Sequence, residues 1–570
     1  DAPELFDYPV DEFALKADFT IAREPVSWQV FEAAGFPFYN NPQVRIQKNG
    51  VFHAQYRIRE KLDGGWRDRH GLDSGQFFKA EGAFKFDQGP NGGWDRKTGD
   101  EDDLSAIAAL DDELESNPTA DELWARFDVP NIVNYWAVSA VIRHQDQDHH
   151  NQYLYFDETE TGLWSMHPWD LDHTWGSNGG DICRGDAMVT MSCLDHAVYD
   201  AFWEVPQFRE MYFRRIRTLL DGPLSGTAIE DLNTELRANL VADQAEEVAE
   251  WGTSLLWGDD LDFLGNVNDR RALLAADARV PGSQASAPAI VINELQYNPV
   301  DGQPEFLELH NPTDEWVDVS QWDLGGVGLT IPGGTVIAPG GYAVFTDDIA
   351  LYRSVHPATA DYLLVQFPGG LKKGGETVEL TTADGTVIDV VSYSDESPWD
   401  ASPRDGVFSL ELTDASADNA DAANWAASTI SGGTPGSENL PTDFVDPVDP
   451  VDPVDPVQPN DGVTYTLAGD DAAIFQVDAD TGDVSYQNWF TPSYTEVWDM
   501  DRDHVYEVSV VGTDESGTEV SRENLELVVS ETDAVWQDAD GSDPVDPVDP
   551  VDPIVVAEWL NGEVDADLLS

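Results

Sequence analysis

The spacing of apolar residues changes character twice along this 570-residue chain. From about 103 to 280 the period is helical. DLSAIAALDDEL carries apolar residues at helical spacing, and Thr119 stands where it can cap ADELWARF, with acids in the first turn. PNIVNYWAVSAVIRH opens with Pro130 at a first-turn position and predicts burial of Ile132, Val133, Trp136 and Val141. PQFREMYFRRIRTLL and AIEDLNTELRANL predict two more helices. From 290 the period falls to two, in IVINELQYNP, PEFLELHNP, GYAVFTDD, ETVELTTADG and TVIDVVSYSD. Short alternating strands with Gly, Pro and Asp turns predict an all-β sandwich. Residues 462–532 repeat that texture in YTLAG, AIFQVD, DVSYQNW, VYEVSVVGTD and LELVVS.

Tandem Val-Asp-Pro units punctuate the chain at 444–459 and 543–553, and a softer boundary, VPGSQASAPA, falls at 280–289. Proline fixes φ and bars helix and central strand, while repeated Asp carries like charge, so the tandem runs predict extended, semi-rigid spacers. The expected organisation is a domain over 1–280, a sandwich over 289–437, a spacer at 444–459, a β domain over 462–533, a second spacer at 543–553, and the start of a further module or tail at 554–570. The expected fold class is multidomain α+β.

Charge narrows the setting. Thirty basic residues face 109 acidic ones, a formal net of −79. Repulsion on that scale loosens a compact state unless salt or divalent cations screen it. Only eight lysines occur, the last being Lys372 and Lys373. Such a surface fits a saline or calcium-rich setting and excludes nucleic acid, which needs a basic footprint, and anionic membranes. No stretch reaches the length of a membrane span. Cys183 and Cys193 close a short disulfide loop in an exported protein and are two thiols in the cytosol; the exported reading is favoured, because zinc-type spacing is absent around them. The chain starts at Asp1 without an initiator Met or an apolar leader, which reads as a processed or excised piece. Spacer-separated acidic domains point to an extracellular or cell-surface protein.

One stretch concentrates chemistry. In HQDQDHHNQYLYF, residues 144–156, polar side chains crowd between an apolar helix and a strand. Asp146 and Asn151 have the spacing Asp-x4-Asn. The strand QYLYF, the turn DETETG and the strand LWSMHPW follow, and the last delivers Asp170 in PWDLDHTWG. Helix, Asp-x4-Asn, hairpin and Asp is the layout of a kinase catalytic loop and its metal-binding Asp. The loop Asn and the post-hairpin Asp must converge on Mg²⁺ bridging ATP phosphates, while the loop Asp meets the incoming hydroxyl. In so Asp-rich a chain the spacing alone carries little, and a solvated acidic turn is the bland reading; the hairpin and second Asp supply structural context. A transition-metal site from His144, Asp148, His149, His150 and Asp172 is another reading. However, His149 and His150 are consecutive and do not naturally face one ion.

The segment RHQDQDHHNQYLYFDETETGLWSMHPWDLDHTWG resembles the spore coat protein H (CotH) kinase family, whose loop reads Asn-x-Asp-x-Tyr-Gly-His-Asn-Tyr-Tyr-Leu-Tyr before Pro-Trp-Asp-Leu-Asp. Upstream, REPVSWQVFEAAGFPFYNNPQVRIQKNGVFHAQYRIREKLD is similar to the family's helix and strand pair ending in an acid, here Glu60. Downstream, VPQFREMYFRRIRTLL resembles its helical C-terminal part. The resemblance covers roughly residues 1–280. It implies an atypical protein-kinase-like fold, with a partial N-lobe and a helical C-lobe, transferring phosphate from ATP to Ser or Thr of secreted or surface proteins. By position, the resemblance implies Asp146 as catalytic base and Asn151 and Asp170 as ligands of Mg²⁺ or Mn²⁺, with His150 bracing the loop. Asp172 either binds the metal or caps the next turn. Lys79, in SGQFFKAEG, and Glu60 are implied on the nucleotide side, and Glu24 as the acid that pairs with the phosphate-binding lysine. The strand bearing that lysine is expected ahead of Asp1, so part of the nucleotide lobe is expected to be missing. Two departures stand out: His144 replaces an Asn, and Asp148-His149 replaces Tyr-Gly.

Farther on, Asn293, Glu294, Glu308, Leu309, Asn311, Pro312, Val317, Asp318, Ser320 and Trp322 fall in a pattern that resembles the lamin-tail domain, an immunoglobulin-like sandwich. YTLAGDDAAIFQVDADTGDVSYQ and YTEVWDMDRDHVYEVSVVGTDESG look like later strands of a cadherin-type repeat. That resemblance implies Ca²⁺ held by Glu496, Asp499, Asp501, Asp503 and Asp514, a hard oxygen set suited to the ion. The rival of the kinase reading is a non-catalytic, calcium-stabilised adhesion protein with a kinase-like scaffold; a metal hydrolase comes third.

Overall fold

The structure is a computed structural model. It describes residues 13–16, 22–39, 41–72, 74–81, 93–144, 150–176, 187–190, 196–252, 262–356, 363–440, 464–468, 475–477, 484–486, 505–513, 519–529 and 534–538. The chain divides into two compact units, Asp1–Asp446 and Pro447–Ser570.

The first unit opens with β1 (Phe13–Lys16), α1 (Arg23–Ala33), β2 (Gln43–Lys48), β3 (Val51–Glu60) and α2 (Gly64–Arg69). The three strands form an antiparallel sheet in the order β1-β3-β2. Asn49 and Gly50 join β2 to β3, both at positive φ, as a tight hairpin needs. Next come β4 (Gln76–Glu81), β5 (Trp94–Arg96), α3 (Ser105–Glu115), α4 (Ala120–Arg126) and α5 (Val129–Ile142). The Thr119 side chain accepts from the Glu122 amide and Glu122 reaches back, a reciprocal capping box that starts α4. Helix α5 is capped by Asp128 and carries Pro130 in its first turn. Nearly all of it is buried, so it is a central core helix rather than an amphipathic surface one.

Past α5 come β6 (His150–Phe156) and β7 (Trp164–Pro168), the two arms of a hairpin in which Gln152 faces Pro168 and Phe156 faces Trp164. They extend the β4 sheet to the order β5-β4-β6-β7. Helices α6 (Ala187–Thr190), α7 (Ala197–Glu204), α8 (Pro206–Asp221), α9 (Ala228–Trp251) and α10 (Phe263–Ala276) complete this region. Helix α8 and helix α10 pack on α5, and α9 lies along β3.

From residue 291 the fold is β: β8 (Val291–Gln296), β9 (Phe306–His310), β10 (Val317–Asp318), β11 (Asp323–Leu324), β12 (Leu329–Thr330), β13 (Val336–Ile337), β14 (Tyr342–Thr346), the short α11 (Ile349–Val355), β15 (Leu363–Gln366), β16 (Gly375–Thr381), β17 (Val387–Ser394), β18 (Leu410–Leu412) and β19 (Trp425–Ala427). A six-stranded sheet in the order β15-β14-β9-β8-β18-β19 faces a four-stranded one, β12-β11-β16-β17, beside the pair β10-β13. Leu295, Leu307 and Leu309 from the first sheet and Val378, Leu380 and Val391 from the second are buried in one core.

In the second unit, β20 (Thr464–Ala468), β23 (Val505–Thr513), β24 (Glu519–Val529) and β25 (Ala534–Asp538) form an antiparallel sheet in that order, and β21 (Phe475–Val477) pairs with β22 (Val484–Tyr486). Strands β20 to β24 overlap the alternating segments read from the sequence, whereas β25 lies past the expected bound at 533. The five acidic positions Glu496, Asp499, Asp501, Asp503 and Asp514 lie outside the described residues, as do Cys183 and Cys193.

Candidate active site

The chemistry gathers where the two small sheets of the first region meet the end of the β6–β7 hairpin. Lys16, at the end of β1, donates from Nζ to Asp170 Oδ1 and to Asp172 Oδ2, each at 2.7 Å. The same ammonium lies 3.6 Å from Glu24 Oε2, in the first turn of α1. Arg59, near the end of β3, donates from Nη2 to both Glu24 Oε1 and Asp170 Oδ1. Two cations and three carboxylates thus form one connected cluster. Glu24 is fully buried and Arg59 nearly so, whereas Lys16, Asp170 and Asp172 are partly open.

Burial opposes the charges of Asp170 and Lys16, and the partners outweigh it. For Asp170, burial pushes the carboxyl up, but the hydrogen bond and charge of Arg59, together with Lys16, hold it well below the usual carboxylate range. For Lys16, burial and Arg59 lower the pKa, while Glu24, Asp170 and Asp172 bring it above the ordinary lysine value. Removing one member would leave a charge uncompensated in a part-buried place, which costs far more than the pair contributes.

Local backbone geometry serves the same place. Asn151 (φ 69°) and Asp170 (φ 49°) both occupy the left-handed region. Asn and Asp tolerate that conformation better than other side-chain-bearing residues, and such strain concentrates at functional sites. The two positions are neighbours across the hairpin: the Trp169 amide donates to Asn151 O at 3.0 Å. Trp169 also stacks edge-on with Tyr153, with centroids 5.7 Å apart, and takes Arg59 over its ring at 5.5 Å.

A cleft of about 510 Å³ opens beside the cluster, lined by Arg59, Lys61, Arg67, Lys79 and Lys97, with Tyr153 and Trp169 as apolar walls. Three of the eight lysines in this acidic chain therefore share one cleft. Glu60 also lines it, but is itself buried and paired with Arg69. Lys79 sits on β4, opposite Tyr153. The structure thus places Asp170 and Asp172 on one ammonium and Lys79 and Glu60 on the wall of the adjoining cleft. Asp146 lies outside the described residues. His144 is fully buried just past α5 and His150 is exposed at the start of β6, while Asp148 and His149 lie outside the described residues. Among the described residues no group of three or more His, Cys, Asp and Glu is arranged to hold a metal on its own.

Sequence reasoning missed Lys16 and Arg59. A signal existed for the first: FALK, an apolar strand ending in lysine, precedes a helix whose first turn carries Glu24, the order of the strand lysine and helix acid in kinases. For Arg59 the local sequence offers none, because its partners come from other elements.

A family model described as CotH kinase protein matches residues 5–273. A second, Lamin Tail Domain, matches residues 283–395. No curated protein matches the chain at a significant level. Strands β18 and β19, beyond the second match, complete the six-stranded sheet. The chain therefore joins a region similar to CotH kinases, which suggests a kinase-like protein, to a region similar to lamin tail domains.

Proposed function

We propose that the region over residues 5–273 is an atypical kinase that transfers phosphate from ATP to Ser or Thr of secreted or surface proteins. The observation that carries this reading is the cluster Lys16–Glu24–Arg59–Asp170 at the mouth of a basic cleft in an otherwise acidic chain. We assign Lys16 as the strand lysine that pairs with the helix acid Glu24, the role the sequence reading placed ahead of Asp1.

The residues fit a divalent cation of the Mg²⁺ or Mn²⁺ type. Asp170 and Asp172 already share one cationic group, Lys16 Nζ, at 2.7 Å each, and the cluster carries more carboxylates than cations. Magnesium asks only one or two carboxylates of the protein, the rest of its shell being water and phosphate oxygen. Asp170, Asn151 and, in second place, Asp172 would hold it. When bound, the ion neutralises charge on the transferred phosphoryl group.

The protein's own contribution is positioning and electrostatics. Lys16 and Arg59 supply positive charge beside the place where phosphate oxygens would lie, and Lys79, Lys61 and Lys97 extend that field along the cleft. Glu24 keeps both inner cations oriented. Trp169 and Tyr153 give the cleft an apolar wall. Asp146, five positions ahead of Asn151 in sequence, would accept the proton of the attacking hydroxyl. In high salt, phosphate transfer from labelled ATP is expected in the native chain and lost in Asp146→Ala, Asp170→Ala and Lys16→Met. Transfer no greater than that of the variants would demote the region to a scaffold.

For the second unit, a calcium-dependent cadherin-like module is proposed on its antiparallel sheet and the acidic run at 496–514. Calcium is expected to raise its melting temperature, and Asp501→Asn to abolish that rise.

A further inference from the structure

We propose that the lamin-tail region pins helix α1, so that docking of this second domain keeps Glu24 on Lys16 and Arg59 and thereby sets nucleotide affinity. The link to nucleotide rests on the kinase reading above; the pinning itself does not.

Helix α1 is tied at both ends. In its first half, Arg23 donates to Thr174 O at 2.6 Å, Ser27 Oγ meets Thr174 Oγ1 at 2.9 Å, and Trp175 Nε1 donates to Ser27 Oγ at 3.0 Å. These partners follow directly on Asp170 and Asp172. At the far end, the carbonyl of Ala34 accepts from Asn134 Nδ2 of α5 at 2.9 Å and from Arg215 Nη2 of α8 at 3.2 Å. Arg215 spends its other donors on Asn134 Oδ1, at 2.9 Å, and on Asp318 Oδ2 in β10, at 3.1 Å. Arg215 is 3 % exposed and the Asp318 side chain not at all.

The lamin-tail region also closes over the turn that ends α1. Gly333 comes so near Ala34 O and Asn134 that no side chain fits, and the Gln321 side chain lies against Gly35, at φ +96°. Asp318 is braced in turn: its amide donates to Gln284 Oε1 at 2.8 Å, and its Oδ1 accepts from the Ser320 amide at 2.9 Å.

The planar fork of Arg215 satisfies acceptors from α5, from the end of α1 and from the sandwich at once, a task a lysine cannot perform. An α-helix is stiff over three turns, so freedom at Ala34 becomes freedom at Glu24. Arg215 and Asp318 act through α1 and are positioning residues.

The test uses the full chain in high salt with two changes: Arg215→Lys alone, and Arg215→Met combined with Asp318→Leu. The double variant removes both buried charges together and keeps the interior neutral, so cohesion can survive while Arg215's bond to Ala34 O is gone and Asn134 alone holds that carbonyl. Three quantities are measured: melting temperature, amide hydrogen exchange across residues 23–33, and affinity for a non-hydrolysable Mg-ATP analogue. The expected result is a near-native melting temperature, α1 amides exchanging roughly tenfold faster, and affinity about tenfold weaker, with Arg215→Lys intermediate. Native exchange in α1 of either folded variant overturns the proposal and leaves the ion pair a simple domain tie. If the double variant does not fold, Arg215→Lys carries the same comparison. A native chain that binds no Mg-ATP analogue overturns the nucleotide link, and the exchange rates then decide the pinning by themselves.

Discussion

Lys16 and Asp170, 154 positions apart in sequence, meet at 2.7 Å between Nζ and Oδ1. The contact joins the first described strand to the second residue past the β6–β7 hairpin, and Arg59 doubles it from β3. Such a pair ties β1, β3 and the end of the hairpin together at the mouth of the basic cleft.

Lys16→Met is therefore expected to lower phosphate transfer by roughly a hundredfold, the scale of losing one preorganised charge donor. Lys16→Arg should not restore it, because a guanidinium does not replace a compact ammonium between two carboxylates. Single-turnover transfer from labelled ATP reads the effect; near-native rates in Lys16→Met would remove Lys16 from the mechanism.

The depressed pKa of Asp170 gives stability a definite pH dependence. The folded form holds the carboxylate ionised below the unfolded value of about 3.9. The stabilisation is thus present above pH 4 and lost as pH falls through the folded pKa. Melting curves between pH 5 and pH 3 should fall more steeply for the native chain than for Asp170→Asn. Equal slopes would show that the ion pair contributes nothing to folding.

The sandwich behaves in the opposite sense. Glu294 pairs in register with Glu308 and with Glu411, and all three are buried. Burial, with the neighbouring carboxylates, pushes Glu308 up to about 8 and Glu294 well above its ordinary value. The folded state therefore keeps protons that the unfolded chain releases above about pH 4.3, and stability declines as pH rises through about 8. Glu294→Gln, which retains an acceptor for the Thr434 amide, should raise the melting temperature at pH 8 and have little effect at pH 5. A gain of the same size at both values would refute the account of carboxyls kept protonated by burial.

Gly334 supplies a steric test of the domain contact. It sits at φ +89°, and an added Cβ would run into Pro130 O at the start of α5. Gly334→Ala should cost at least about 2 kcal/mol in urea unfolding, since strain and overlap both act. Gly340→Ala, at φ +65° with open space around it, should cost less.

A net charge of −79 predicts that salt stabilises the protein. Raising NaCl from 0.1 to 2 M shortens the screening length from about 10 Å to a few ångströms and should raise the melting temperature. A flat response across that range would show that self-repulsion is already compensated inside the fold.

Local features were legible because they are written in neighbouring residues. Thr119 and Glu122 cap α4 across one turn, and Pro130 opens α5. The alternating runs at 290–310 and 342–346 became β8, β9 and β14. Asp170 and Asn151 stood out because a hairpin brackets them, and that hairpin is local too. Arg59 was invisible: within β3 it is one polar residue in an alternating strand, and its value lies in Glu24 and Asp170, supplied by other elements.

By itself the sequence determined the periods, the caps and the acidic character, since these depend on side-chain pattern within a few residues. Only the tertiary structure decided which of many acids matter. Pairing β1 to β3, with Lys16 opposite Arg57, brings a strand lysine beside the first turn of α1 and the end of the hairpin. It also decided that Arg215 of one region reaches Asp318 of the next. Long-range ion pairs depend on how buried elements pack, and burial removes the solvent that would otherwise make every carboxylate in an acidic chain equivalent.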